Sequence, residues 1–420
     1  MDKLVQLHNV LYDYIEKNWH KSFNEPVGTL KHVFLDPAAN YRFQLWDWDS
    51  YFCGLALIDV YEDTAEYIKG CVLNFTDNAA DDGSIPYMIN AGEKGELSYA
   101  EPQYNKIGRT EESEVNSIKP LLAQMTLLAA SRLKDNTWVE EIYGILAKHI
   151  MHWEKTQMCA AGLFVWRSYR GSGTDNHPAL YGRPLNSSAG VELNCFMYKE
   201  YKAMAEISKM CDKPGAAEEY EQKAIALADN INAHMWDEID GLYYNLDVLS
   251  KKPRLAIQDI TWDVPLKFKT WTCFTPMWAG IAPKEYADRM VREHLLNPLE
   301  FWSDYGIRTL AKNEKMYTVA ETSNPSNWQG PIWIVSTYLV FKGLINYGYN
   351  DTAKNIAQNL ISNMVRDINE NGFLHEYYNP ETGLSSIAPG FMNWNALAGL
   401  MVPELSANQS KLKERDVFND

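Results

Sequence analysis

The chain has 420 residues, 46% of them hydrophobic and 22% charged, with a formal net charge of −16. That acidity argues against nucleic acid and anionic membranes, which draw surfaces rich in Lys and Arg, and it disfavours a polyanionic substrate. No run of about 18 apolar residues occurs, so no membrane-spanning helix is expected.

Aromatic residues make up 13% of the chain, with 14 Trp, 25 Tyr and 14 Phe. Many stand beside Asp, Asn, Glu or Gln and not inside runs of Leu, Val and Ile. A core does not need that pairing, whereas a site for a polyol does. The six cysteines (Cys53, Cys71, Cys159, Cys195, Cys211 and Cys273) show neither C-x-x-C nor a metal-like spacing. They read as reduced thiols in apolar or helical contexts and fit a reducing cytoplasm. The N-terminus, MDKLVQLHNVLYDYIEKNW, lacks the apolar stretch of a secretion signal and reads as an amphipathic helix. A cytoplasmic protein is the expectation.

In chain order the apolar spacing predicts helices over about 2–19, 50–78, 115–133, 137–157, 190–211, 216–236, 260–281, 283–297, 328–348, 350–368, 390–403 and 406–416. In 216–236, Tyr220, Ala224, Leu227, Ile231 and Met235 fall on one face. The helix over 137–157 opens with Thr137 and Glu140 in a capping-box pattern. A helix end, a Gly turn and a short apolar-aromatic run recur at Gly83, Gly162 and Gly241, 79 residues apart, and again at Gly372. Repeated helix hairpins of this kind predict an all-α fold, an (α/α)6 barrel with long loops at one end. Such a ring explains how a chain longer than the usual single-core limit of about 250–300 residues makes one domain over 1–420. Linkers rich in Pro or Ser are absent.

The sequence carries no G-x-S-x-G elbow, no P-loop and no H-E-x-x-H. Asp367-Ile-Asn369-Glu-Asn371-Gly372 imitates the start of a calcium loop, but Tyr378 stands where the bidentate Glu belongs. A turn is the better reading, and no cofactor or metal is expected. What remains is acidic and set among aromatics, in four segments, 45–50, 170–178 (from Arg170 to Pro178), 321–333 (from Glu321 to Trp333) and 375–380, which hold the motifs Leu45-Trp46-Asp47-Trp48-Asp49-Ser50; Gly173-Thr174-Asp175-Asn176; Asn327-Trp328-Gln329-Gly330-Pro331-Ile332-Trp333; and His375-Glu376-Tyr377-Tyr378-Asn379-Pro380. Indole stacks on the C–H face of a sugar ring, and carboxylates accept its hydroxyls. The competing reading of the first segment is a helix N-terminus capped by Asp47 or Asp49. Glycosidic cleavage needs two carboxyl groups, one protonated to donate to the leaving oxygen and one ionised to activate water or attack. Asp175 in its Gly-rich loop and Glu376 beside two tyrosines are the candidates; an Asx-turn and a structural hydrogen-bond partner are the alternatives. Trp262, Asp263, Trp271 and Trp278 read as core before cleft wall, and Trp302-Ser-Asp304 as intermediate.

Taken together and in order, the four motifs resemble glycoside hydrolase family 63, in the wider clan of trehalases and glucoamylase-like enzymes. The resemblance spans residues 45–380. It implies an (α/α)6 barrel and inverting hydrolysis at an α-linked sugar, with Asp175 as general acid and Glu376 as general base. Trp46, Trp48, Asp49, Trp328 and Gln329 are then expected around the ring, with Tyr377 and Tyr378 aiming Glu376. Tyr87, Gln103 and Arg183 are candidates for the leaving group by position and chemistry; Arg183 would pair with a carboxylate such as glycerate, or make an ordinary salt bridge. The family's acid motif has Met where this chain has Thr174, and the large extra β-domain of the eukaryotic processing glucosidases is missing. The chain is thus closer to compact bacterial members that act on mannosylglycerate or glucosylglycerate. The expected partner is a small carbohydrate, a disaccharide or glycosyl-glycerate; a trehalase-like specificity is the alternative. Two rival classes remain: a sugar 2-epimerase on the same barrel, which needs paired histidines such as His177 and His375, and a non-catalytic sugar-binding protein.

Overall fold

The computed structural model describes residues 3–91, 116–249, 263–320 and 325–407. Twelve α-helices lie among the described residues: α1 (Lys3–Asn18), α2 (Asp47–Leu57), α3 (Thr64–Asp77), α4 (Leu122–Ala130), α5 (Thr137–Gln157), α6 (Val191–Met210), α7 (Pro214–His234), α8 (Thr275–Ala279), α9 (Lys284–Arg289), α10 (Ile334–Asn346), α11 (Asn350–Asn371) and α12 (Met401–Ser406). A 3-10 helix, Asn393–Leu400, precedes α12. Short antiparallel strand pairs join the helices, so the fold is helix-rich with small sheets rather than wholly α.

The helices fall into two kinds. Helices α2, α4, α6, α8, α10 and the 3-10 helix are buried almost all round, as expected of helices apolar on every face. Helices α1, α5, α7 and α11 bury one stripe only. The enclosed helices pack in succession: α2 on α4, α4 on α6, α6 on α8, α8 on α10, α10 on the 3-10 helix, and the 3-10 helix on α2.

Connections from an enclosed helix to the next are tight, at 58–63, 131–136, 211–213, 280–283 and 347–349. The return connections are long and carry the small sheets and the acidic-aromatic motifs. Four of them carry the repeated glycines near their start, all in the left-handed conformation, with φ of 87°, 67°, 69° and 84° at Gly83, Gly162, Gly241 and Gly372. Gly372 is the left-handed C-cap of α11.

Several expected elements differ. The helix expected over 50–78 is two helices, α2 and α3, with the break over 58–63. Trp328 lies before α10, which starts only at Ile334 after the strand Ile332–Trp333. The helix over 283–297 ends in a π-turn at Met290–Leu295. Residues 408–416 and Trp262 lie outside the described residues. The capping box at Thr137 does not form, because Asp135 takes both its N–H and its hydroxyl, at 2.9 and 2.8 Å. The calcium-like stretch belongs to the end of α11. The Asp367 carboxylate accepts from the Tyr378 hydroxyl (2.9 Å), the His375 ring (2.9 Å) and the Asn371 amide (2.8 Å).

Candidate functional site

The long connections meet at a cavity of about 460 Å³, within the range of about 300–1,000 Å³ usual for small-molecule sites. Its walls include Trp46, Trp48, Trp328, Trp333 and Trp394, with Tyr41, Tyr87 and Phe391. Three carboxyl groups line it, those of Asp49, Asp175 and Glu376, along with two cations, Lys119 and Arg170.

Trp46, Trp48 and Asp49 stand where a strand runs into α2. The strand Gln44–Trp46 pairs with Met88–Asn90, which sets Tyr87 beside Trp46, ring centroids 5.9 Å apart. Asp47 and Asp49 occupy the first turn of α2, where the helix dipole favours negative charge. Neither is a side-chain cap: the N-cap is Trp46, with no side-chain cap bond. Asp47 is instead paired with Lys119, Nζ lying 2.9 Å from Oδ1. Asp49 is 6% exposed and accepts a hydrogen bond from the Asn393 amide. Burial pushes its pKa up to about 8; the charge of Asp47 adds to the rise and Lys119 opposes it.

Asp175 follows a 3-10 turn, Tyr169–Ser172, that ends on Gly173 at φ 73°. A Cβ at Gly173 would lie 2.8 Å from Trp48 Cζ2. Glycine is required there both for the left-handed backbone and for this close approach to the indole. Thr174 is buried, its hydroxyl 2.7 Å from that of Ser172, so it locks the turn from behind. Asn176 ties this loop to the next motif. Its Oδ1 accepts from Trp328 N (2.7 Å), its Nδ2 donates to Asn327 Oδ1 (2.9 Å), and its carbonyl accepts from Gln329 Nε2 (2.9 Å). Trp328 in turn stacks on Trp333, centroids 4.0 Å apart and planes 10° from parallel.

Glu376 leads into the strand Tyr377–Tyr378, which pairs with Ile332–Trp333. Tyr41 donates to both of its oxygens, at 3.3 and 3.2 Å. Burial pushes the Glu376 carboxyl up to about 8; the Tyr41 hydrogen bond opposes the rise, and the Asp49 and Asp175 charges add to it. Burial and the same three carboxyl groups hold the Tyr41 phenol far above its ordinary pKa, so it remains a donor.

Of the residues singled out in the sequence, Trp46, Trp48, Asp49, Tyr87, Asp175, Trp328 and Glu376 line the cavity together. Gln329 does not, since its amide serves the Asn176 carbonyl. Tyr377 and Tyr378 lie behind the wall: Tyr377 donates to the Pro325 carbonyl (2.7 Å) and Tyr378 to Asp367. Arg183 is elsewhere, ion-paired with Asp247 at 3.3 Å. Gln103 lies outside the described residues. Tyr41, Lys119, Phe391, Asn393 and Trp394 were not singled out, and Arg170 only as the first residue of its segment, without a role. Asn393-Trp394-Asn395 repeats the aromatic–polar pairing and was findable by that signal. Lys119 sits between Ile118 and Pro120, with no motif around it.

Among the described residues no histidine lines the cavity. His177 is buried, its Nδ1 accepts from Ala179 N (3.1 Å), and burial pulls its pKa down to about 4. His375 turns its Nδ1 to Asp367. The histidine pair an epimerase needs is not assembled from these two residues.

This helix-rich scaffold has known counterparts. Residues 42–394 match the mannosylglycerate hydrolase MGH1-like glycoside hydrolase domain, and the chain belongs to that family. A mannosyl-oligosaccharide glucosidase of Arabidopsis thaliana is 27% identical over 270 residues, 56% of this chain and 31% of the plant protein. A periplasmic trehalase of Escherichia coli is 26% identical over 211 residues, 50% of this chain and 33% of the trehalase. The chain thus matches about a third of the length of these relatives. Among solved structures, the GH63 mannosylglycerate hydrolase of Thermus thermophilus, in complex with glucose, superposes with a TM-score of 0.68 at 19% identity, covering 94% of this chain and all of that one. The same hydrolase has also been solved with Tris and D-glycerate.

Proposed function

We propose that the chain hydrolyses a small α-linked glucoside or mannoside with inversion, within one (α/α)6 domain over residues 1–420. The observation that carries this reading is the meeting of Asp49, Asp175 and Glu376 in one indole-walled cavity. The successive packing of the six enclosed helices supports the toroid. Family membership and the glucose and D-glycerate complexes of the Thermus hydrolase support a small sugar substrate, and the glycerate complex favours a glycosyl-glycerate. A trehalose-like disaccharide is the alternative, favoured by the trehalase match. Six unbonded cysteines, five of them buried, support a reducing, cytoplasmic setting.

In this mechanism the sugar ring lies among Trp46, Trp48 and Trp328, with Asp49 accepting its hydroxyls. Asp175 protonates the leaving oxygen. Glu376 takes a proton from water, which attacks the anomeric carbon from the opposite face. Tyr41 holds the Glu376 carboxylate in place by donating to it. The base must be ionised, so activity rises with pH towards the elevated Glu376 pKa of about 8.

That elevated value also favours a second assignment, with Glu376 as acid and Asp175 as base, because an acid must keep its proton. Leaving groups decide between them. A glycoside of an acidic phenol needs little protonation, so the acid-less variant still cleaves it while failing on alkyl glycosides. Asp175→Asn is expected to show that pattern. If Glu376→Gln shows it instead, the roles are reversed. Release from a panel of α-glucosides, α-mannosides, trehalose and glycerate conjugates, followed by NMR, tests the whole reading. From the glucosides, mannosides and glycerate conjugates the cleaved sugar is expected to appear first as the β-anomer, and from trehalose as equal α- and β-glucose; first appearance of the cleaved sugar as the α-anomer, or of α-glucose alone from trehalose, sinks inversion, and no release from any of them sinks the hydrolase.

A further inference from the structure

We propose that Lys119 is a positioning residue of the sugar site, on which both the Trp48 ring and the turn carrying Asp175 are seated, and that it is the cation facing Asp49. The inference rests on the sugar-site reading above and goes beyond it.

Lys119 is 1% exposed, yet its ammonium reaches the cavity wall. Asp47 pins it, with Nζ 2.9 and 3.2 Å from the two carboxylate oxygens. The same carboxylate accepts from Lys119 N (2.9 Å) and Trp48 N (2.7 Å), so one anion fixes the backbone of both residues. Nζ then lies 4.8 Å from the Trp48 ring centroid, a cation–π distance. The Gly173 turn closes over this pair, since a Cβ there would stand 2.8 Å from the indole and 3.3 Å from Nζ. Lys119 therefore touches the stacking surface and the Asp175 loop at once.

A structural purpose alone does not explain a charge here. Burying an ion pair is costly, and well-packed apolar residues of similar volume often serve stability as well or better. Asp49 supplies the reason. The charged and titratable groups around it are Asp47 on its own helix, Glu376, Asp175 and Tyr41 across the cavity, and Cys53 one turn on, with Arg170 on the same cavity wall and the Asn393 amide as donor. Apart from Lys119 and Arg170, all are acids. Lys119 opposes their combined effect. An Asp49 that takes up a proton no longer presents two acceptor oxygens to sugar hydroxyls.

The test compares Lys119→Gln, which removes the charge, with Lys119→Arg, which keeps it. A double variant, Lys119→Gln with Asp47→Asn, removes the buried pair without leaving an orphan anion. Steady-state kinetics across pH, thermal melts, and indole-fluorescence titration with glucose and with mannose are read for each. Lys119→Gln is expected to raise KM about tenfold or more with a smaller change in kcat, and to move the acidic limb of kcat/KM to higher pH. Lys119→Arg should restore both. The double variant should melt near the parent and still show the raised KM. A folded charge-free variant with KM, pH limb and sugar affinity like the parent overturns the proposal, as does failure of both charge-free variants to fold. If the parent hydrolyses no glycoside but binds sugar in a Lys119-dependent way, the hydrolase reading fails and this inference stands. If the parent neither hydrolyses a glycoside nor binds either sugar, both fall.

Discussion

Glu300 and Glu376 are both 4% exposed, and their protons behave oppositely. Burial raises both. At Glu300 it is overcome by hydrogen bonds from His294 (2.7 Å) and Lys269, and the pKa falls to about 2. The Asn313 amide adds a third donor at 3.2 Å. At Glu376 the only side-chain hydrogen bonds among the described residues are two long ones from Tyr41, the neighbouring groups are carboxyls, and the pKa rises to about 8. Equally little exposed, the two differ in depth and in partners: Glu300 is held as an anion by the cations beside it, whereas Glu376 lies deeper, among carboxyls that disfavour its charge. Depth and partners together decide, and a carboxyl whose surroundings disfavour its charge is the better candidate for a functional place.

The largest test of that contrast is catalytic. Glu376→Gln and Asp175→Asn should each cut kcat on an alkyl glycoside by about 10²–10⁴-fold, while Glu300→Gln should leave kcat of the folded enzyme within a few-fold. A sugar-releasing Glu376→Gln would remove the distinction between the two glutamates. Next comes stability. Glu300→Ala leaves Lys269 without its counter-charge and the His294 ring without its acceptor, and should cost on the order of 3–5 kcal/mol in denaturant unfolding. A loss under about 1 kcal/mol would mean that the network holds nothing together.

The loop between these extremes offers a milder test. Gly173→Ala forces a side chain into a left-handed turn against Trp48 and should cost about 1–3 kcal/mol. It should also lower kcat/KM by up to about 10²-fold through displacement of Asp175. Unchanged kinetics would show that the indole does not set the position of the loop.

The smallest effect is the sharpest in sign. Glu300 has its pKa lowered on folding, so its contribution is present above about 4.5 and is lost as pH falls from there towards about 2. Glu376 has its pKa raised, so the native state holds the extra proton and stability declines as pH rises from about 4.5 towards 8. Melts of Glu376→Gln against the parent should therefore show a Tm gain of on the order of 1–3 °C at pH 8 that vanishes near pH 4. A gain that is constant with pH would tie the effect to packing and not to the charge.

Much of this was legible along the chain. The repeated Gly turns mark the early part of the long connections, because each turn needs a left-handed residue and Gly adopts that conformation without a Cβ penalty; only Gly372 is itself a helix C-cap. The Trp–Asp alternation at 46–49 marks the cavity, since neither residue type suits an exposed or an unpaired position. Harder to read were residues whose role depends on a neighbour remote in sequence. Lys119 meets Asp47 across 72 positions, and Asn393 meets Asp49 across 344. Arg183 was open in the sequence between a carboxylate ligand and an ordinary salt bridge, and the structure pairs it with Asp247.

Sequence alone determined the helix-rich class, the four acidic-aromatic motifs and the two carboxyls offered for proton transfer. These depend on local periodicity and residue chemistry, which act over a few positions. Only tertiary structure decided which motif residues face the cavity and which stand behind it. It also decided that Asp47 holds a lysine while Asp49, two residues on, faces the cavity. Charge and burial depend on which distant groups come within a few ångströms, and that is settled by packing.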